Sequence, residues 1–161
     1  YMPANGIVQG MRPIIGYNYG AGESSRVKST IRYSLLTAAG LMLTGTILAL
    51  ALPKQILALF DADAALMSAG VTALRIISLG FLVSSVGLIY SGVFEAIGNG
   101  RNSLIISLLR QFVITIPLSF ILTRFFGPTG VWISFPVGEL CASAAAFCLL
   151  KKYQNGAFSP L

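Results

Sequence analysis

The sequence predicts an all-α, polytopic membrane protein, and three observations carry that reading. Of its 161 residues 55% are hydrophobic and only 10% charged, with no histidine; soluble domains carry about a quarter charged residues. Four apolar stretches, 29–52, 71–97, 103–124 and 131–150, each approach or exceed the roughly 20 residues a helix needs to cross a bilayer. The basic residues fall between those stretches in an alternating pattern. Arg26, Lys28 and Arg32 lie at the first, Arg101 sits between the second and third, and Lys151 and Lys152 follow the fourth. If the four helices alternate, these groups share one side, opposite Lys54, Asp61, Asp63 and Arg124. Short loops rich in Lys and Arg stay cytoplasmic, so 19–32, 98–102 and the tail 151–161 are expected there. Separation of the charges by spans argues against a nucleic-acid-binding patch.

The first segment, 1–19, is apolar but carries Pro3, Asn5, Gly6, Gln9, Gly10, Arg12 and Pro13. Such a helix persists at bilayer depth only where neighbouring helices or a wet cavity satisfy its freed polar groups. A cavity-lining helix is expected, kinked at Pro13. The segment is too short and interrupted for a comfortable lipid-facing span, so the sequence reads as opening inside a helix of a longer protein. "NYGAGESSRVK" is a turn, with Gly20 and Gly22 free to adopt positive φ, Ser24 or Ser25 as cap and Glu23 at the positive helix end.

The 29–52 helix carries small and hydroxylated residues (Thr37, Ala38, Gly40, Thr44, Gly45) that allow close helix approach, and Pro53 ends it. The external connection offers Asp61 or Asp63 as a cap. The 71–97 helix is the most polar complete span, with Ser78, Gly80, Ser84, Ser85, Gly87, Tyr90, Ser91, Gly92 and Glu95. The 103–124 helix holds Arg110, Gln111 and Pro117, and the 131–150 helix holds Trp132, Pro136, Glu139 and "CASAAA". Cys141 and Cys148 lie about 10 Å apart along that helix, too far for a disulfide. They are expected as small, buried packing residues. The tail after Lys152 reads as flexible.

Ionisable groups inside spans are functional candidates by default. Glu95 is a candidate ion-coupling site, or a structural partner for Arg110 across the short "IGNGRN" turn. Arg110 and Glu139 each stand between a cavity role and a structural one. Arg12 is expected as an anchor at the cytoplasmic end. Gln9, Tyr17, Asn18 and Tyr90 are candidates for a substrate path, since aromatic and amide groups hold lipophilic cations; helix packing is the plainer alternative for each. No Ser/His/Asp set, phosphate-cradling loop or metal-ligand cluster is present in the sequence, so an enzyme and a metal site are not expected.

"GIVQGMRPIIGYNYGAGESSRVK" and "VFEAIGNGRNSLIISLLRQFVITIPLSFILTRFFGPTGVWISFPVGE" together resemble the second half of multidrug and toxic compound extrusion (MATE) transporters of the bacterial branch. The shared features are the Gly, Gln, Pro, Tyr-Asn-Tyr-Gly-Ala-Gly and Arg-Val-Lys spacing, then Arg-Gln, Ile-Pro-Leu and Phe-Gly-Pro-x-Gly-Val-Trp. The resemblance implies twelve spans in two six-helix bundles related by a pseudo-two-fold axis along the membrane normal. This chain would hold the end of helix 8 (1–19) and helices 9 (29–52), 10 (71–97), 11 (103–124) and 12 (131–150), then a cytoplasmic tail.

The implied activity is export of organic cations and amphipathic drugs across a bacterial inner membrane by alternating access, in exchange for Na⁺ or H⁺. The implied partners are the missing N-terminal bundle of the same protein, the lipid bilayer and the small-molecule cargo, with no other cofactor and no nucleic acid. Gln9, Tyr17 and Tyr90 would partly line the cavity between bundles. One departure stands out: a branch of the family places an Asp midway along the helix matching 71–97, where this chain has Gly87 and serines. Two other functions remain open, a flippase of lipid-linked saccharides with the same architecture and a non-transporting membrane scaffold subunit.

Overall fold

A computed structural model describes residues 2–60 and 63–157; Asp61 and residues 158–161 lie outside the described residues. The described chain is helical and shows no strand. Helices α1 (Met2–Gly20) and α2 (Ser24–Ala51) are followed by the short α3 (Pro53–Ala58), then α4 (Ala64–Ser78), α5 (Phe81–Ala96) and α6 (Gly100–Leu108). A π-helical segment (Leu109–Thr115) joins α6 to α7 (Ile116–Phe126), and α8 (Pro128–Ala157) completes the order. Three helical stretches are long and apolar enough to cross a membrane, Ser24–Ala51, Gly100–Phe126 and Pro128–Tyr153. Leu66–Ser78 with Phe81–Ala96 makes a fourth if that bent pair is one span. This is the polytopic all-α architecture the composition predicts.

Helix α1 turns one stripe inward. Ala4, Val8, Met11, Ile15 and Asn18 are buried, at the alternating three- and four-residue spacing of a single helix face. Val8, Met11 and Ile15 meet Val27, Ile31 and Ala38 of α2, Ile89, Val93 and Phe94 of α5, Ile106 of α6, and Ala146 and Leu150 of α8 in one core. Pro13 lies inside α1; having no N–H, it leaves the Gln9 carbonyl without its intrahelical donor. The turn after α5 needs Gly98 at φ +77°, a conformation open to glycine at little steric cost. Helix α2 begins at Ser24 with Glu23 at the N-cap position and no side-chain cap bond, so neither Ser24 nor Ser25 serves as the expected cap. Asp63 does cap α4, its carboxylate accepting from the Leu66 N–H at 2.7 Å.

Three features differ from the sequence reading. The helix expected over 71–97 is two helices that meet at 51°. Gly80 lies at the break, where an added Cβ would sit 3.0 Å from Pro136 Cα of α8. Thr46 of α2 donates to the Ser78 carbonyl at 3.1 Å, so neighbouring helices hold the bend. The 103–124 helix is also interrupted. Pro117, in the first turn of α7, cannot donate to a carbonyl of the preceding turn, and the backbone widens there into the π segment. The Thr115 hydroxyl donates to the Arg110 carbonyl. Gly138 of α8 lies against both groups, so the wide turn packs closely on its neighbour.

The third difference lies in α8. Its buried stripe runs through Ser134, Gly138, Ala142, Ala146 and Leu150, with Ser143 beside it. Cys141 and Cys148 fall outside that stripe and are exposed, which corrects their expected burial. The helix also continues to Ala157, beyond the expected end at 150. Tyr153 packs edge-on to Phe94 with ring centroids 5.9 Å apart, and its hydroxyl lies 3.0 Å from that of Tyr19. The first part of the expected flexible tail is thus ordered against α1 and α5.

Candidate functional site

Charged side chains gather where α1, α5, α6 and the π segment converge. Arg12 projects from α1 and forms an ion pair with Glu95 in the last turn of α5. The other carboxylate oxygen of Glu95 accepts from Ser103 at 2.7 Å, and Ser103 also lies 2.7 Å from the Ser91 hydroxyl. Both oxygens of Glu95 are thus engaged. The sequence offered Arg110 as one alternative partner for Glu95 and made Arg12 an anchor. In the structure Arg12 holds Glu95, and Arg110 faces Glu139 of α8 at 3.9 Å. That distance is an ion-pair contact too long for a direct hydrogen bond. Arg110 and Glu139 are the more buried pair, with side chains 28% and 12% exposed.

Beside these groups lies a cavity of about 180 Å³, lined by Asn5, Arg12, Ser91, Glu95, Ser107 and Arg110 with glycines and apolar residues between. Helix spacing explains the convergence. Asn5 and Arg12 are seven residues apart, about two turns, and so share a face of α1. Ser91 with Glu95, and Ser103 with Ser107, are each one turn apart. Asn5, Ser91, Ser103 and Ser107 were not singled out as site residues, although those spacings are visible in the sequence. Among the described residues no group of three or more His, Cys, Asp and Glu is placed to hold a metal.

The four substrate-path candidates do not share one site in this chain. Gln9 is exposed on α1. Tyr17 is 79% exposed and lies about 80° around the helix from Gln9. Asn18 is buried in the α1 stripe and donates to the Ile14 carbonyl at 2.8 Å, which makes it part of the helix end. Tyr90 is half-buried, its ring 6.4 Å from that of Phe147 on α8, and it does not line the polar cavity.

The MatE family profile matches residues 1–121. The chain belongs to the MatE family. Multidrug export protein MepA of Staphylococcus saprophyticus is 28% identical over 141 residues, covering 87% of this chain and 31% of that protein. MepA of Staphylococcus aureus (strain bovine RF122) is 30% identical over the same shares. Among solved structures, the MATE multidrug transporter DinF-BH in complex with R6G is similar over 99% of this chain and 36% of its own. The identity there is 33% and the TM-score 0.87. An outward-facing MATE transporter of the MOP superfamily, 21% identical over 98% of this chain and 36% of its own, shares the fold with a TM-score of 0.91. This MatE chain therefore spans about a third of the length of the relatives it matches. It is a multi-pass membrane protein with the helical architecture of that family.

Proposed function

We propose that this chain is the closing part of a multidrug exporter's second bundle, the end of helix 8 with helices 9 to 12, and that the whole protein exports organic cations and amphipathic drugs. Export runs by alternating access in exchange for Na⁺ or H⁺, with the C-terminus in the cytoplasm of a bacterial cell. Transport, not catalysis, is the activity. The observation that carries this reading is the 33% identity with a MATE multidrug transporter over 99% of the chain. The MepA export proteins, 28% and 30% identical to this chain, point the same way. The exposed Gln9 and Tyr17 face of α1 supports a cleft shared with the missing N-terminal bundle. Glu95, held by Arg12 and Ser103, is a structural ion pair that ties α1 to α5. The coupling carboxylates lie elsewhere in the full-length protein.

Expression of the full-length gene in a pump-deficient bacterium tests the proposal. Raised resistance and lowered accumulation of cationic dyes are expected. Unchanged accumulation across a broad cation panel, with the protein present in the membrane, would contradict it.

A further inference from the structure

The polar cavity has properties that the export reading does not use. Its volume of about 180 Å³ equals about six waters at the ~30 Å³ each occupies in the liquid. A drug-sized ligand needs roughly 300–1,000 Å³, so the cavity is too small for one. Its charge decides which small ligands it suits. Two arginines and one glutamate line it, and that glutamate already has both oxygens taken, by Arg12 and Ser103. A cation would meet two guanidinium groups and no free carboxylate.

Arg110 is the opposite case. Its contact with Glu139, which does not line the cavity, is 3.9 Å long. That length is beyond a direct hydrogen bond between the guanidinium and Glu139. Arginine presents five N–H donors in a planar fork that matches the spacing of oxyanion oxygens. Ser107 and Asn5 add a hydroxyl and an amide to the same wall. Gly87 and Gly92 line the cavity from α5 without side chains, and Gly92 lets α5 close on Val8 and Met11 of α1.

We propose that this cavity is a binding site for a small oxyanion of the phosphate class, held by the Arg110 fork with Ser107 and Asn5 as further donors. The oxyanion is either free in solution or the phosphate of a membrane lipid, whose tails would remain outside a cavity of this size. An anion there would give Arg110 the hydrogen bonds that Glu139 is too distant to supply, and would fasten α1, α5 and the π segment together.

The test uses the full-length protein in nanodiscs. In one arm the lipid is purely zwitterionic and inorganic phosphate is titrated against chloride at constant ionic strength, with thermal unfolding as readout. In the other, phosphate is absent, phosphatidylglycerol is included, and native mass spectrometry counts the lipids retained. Saturable stabilisation in the first arm identifies free oxyanion; a retained phosphatidylglycerol in the second identifies the headgroup. Arg110→Lys, which keeps the charge beside Glu139 and loses the fork, is expected to weaken binding about 10- to 100-fold, the worth of one or two charge-assisted hydrogen bonds. Asn5→Asp leaves Arg110 and Glu139 in place and puts a carboxylate into the cavity, and is expected to abolish binding. Absence of saturable binding in both arms, or binding that neither substitution changes, would overturn the proposal.

Discussion

Replacing Gly92 by alanine forces α1 and α5 apart. A Cβ built on Gly92 would lie 2.5 Å from Val8 Cγ1 and 2.7 Å from Met11 Cε, whereas carbon atoms pack at about 3.5–4.0 Å. The Met11 end can swing away, but the branched Val8 is stiff at χ1, so roughly 1 Å of overlap must be taken up by helix displacement. Overpacking of this kind costs about 1–3 kcal/mol. Alanine in place of glycine inside a helix returns about 0.8–1.0 kcal/mol, which leaves a net loss of up to about 2 kcal/mol. Gly40, in α2, is the matched control. An added Cβ there meets nothing within 4 Å, so Gly40→Ala keeps the helix gain and is expected to stabilise by up to about 1 kcal/mol. The two substitutions, chemically identical, are therefore expected to move stability in opposite directions. The assay is apparent thermal unfolding of the detergent-solubilised full-length protein, compared at one heating rate because such unfolding is commonly irreversible. Val8→Ala, which removes Cγ1, is expected to relieve the Gly92→Ala defect. An increase for Gly92→Ala as large as that for Gly40→Ala would refute the packing argument.

Three other outcomes follow from named contacts. Asp63→Ala removes the cap on Leu66 N–H and is expected to cost about 0.5–2 kcal/mol, with hydrogen exchange quickening first in the opening turn of α4. Ser143→Ala breaks the 2.8 Å bond from α8 to the Val83 carbonyl and is expected to cost about 0.5–1.5 kcal/mol in the same thermal assay; Ser143→Cys, which keeps a weak donor, falls between. Glu95→Gln breaks an ion pair whose side chains are 43% and 37% exposed. A pair that solvent reaches is worth only about 0–1 kcal/mol, so well-expressed Glu95→Gln protein is expected to keep ion-dependent dye efflux. Loss of that dependence would return Glu95 to a coupling role.

How much of this was legible in the sequence depended on distance along the chain. The spans are readable because a bilayer demands long apolar runs, and 24–51 and 128–153 meet that demand locally. Asp63 as a cap is equally local. The bend between α4 and α5 is not, because Leu79-Gly80 looks like many glycine-bearing membrane helices until Thr46 and Pro136 arrive from α2 and α8. Pro117 marked a disturbed helix, but whether the backbone kinks or widens depends on Thr115 and Gly138. The partner of Glu95 was misplaced for the same reason. Proximity in sequence favoured Arg110, whereas helix packing brought in Arg12 from 83 positions away. The cysteines were misread by size alone; the stripe from Ser134 to Leu150 puts Cys148 about 160° from Ala146 and Leu150, whereas Cys141 lies at the edge of the stripe, about 60° from Gly138, and only the packing shows it exposed.

The central claim is that the polar face of α1 survives at bilayer depth because it borders a water-filled cleft. Labelling of the full-length protein with a charged, membrane-impermeant thiol reagent tests it most directly. Cysteine is placed singly at Gln9, Tyr90 or the exposed apolar Leu36, with the exposed Cys141 and Cys148 replaced by serine. The account predicts rapid labelling at Gln9, slowed by a bound cationic drug, with slow labelling at Tyr90, packed beside Phe147, and at Leu36, facing lipid. A Gln9 site as inert as Leu36 in every transport state would contradict it.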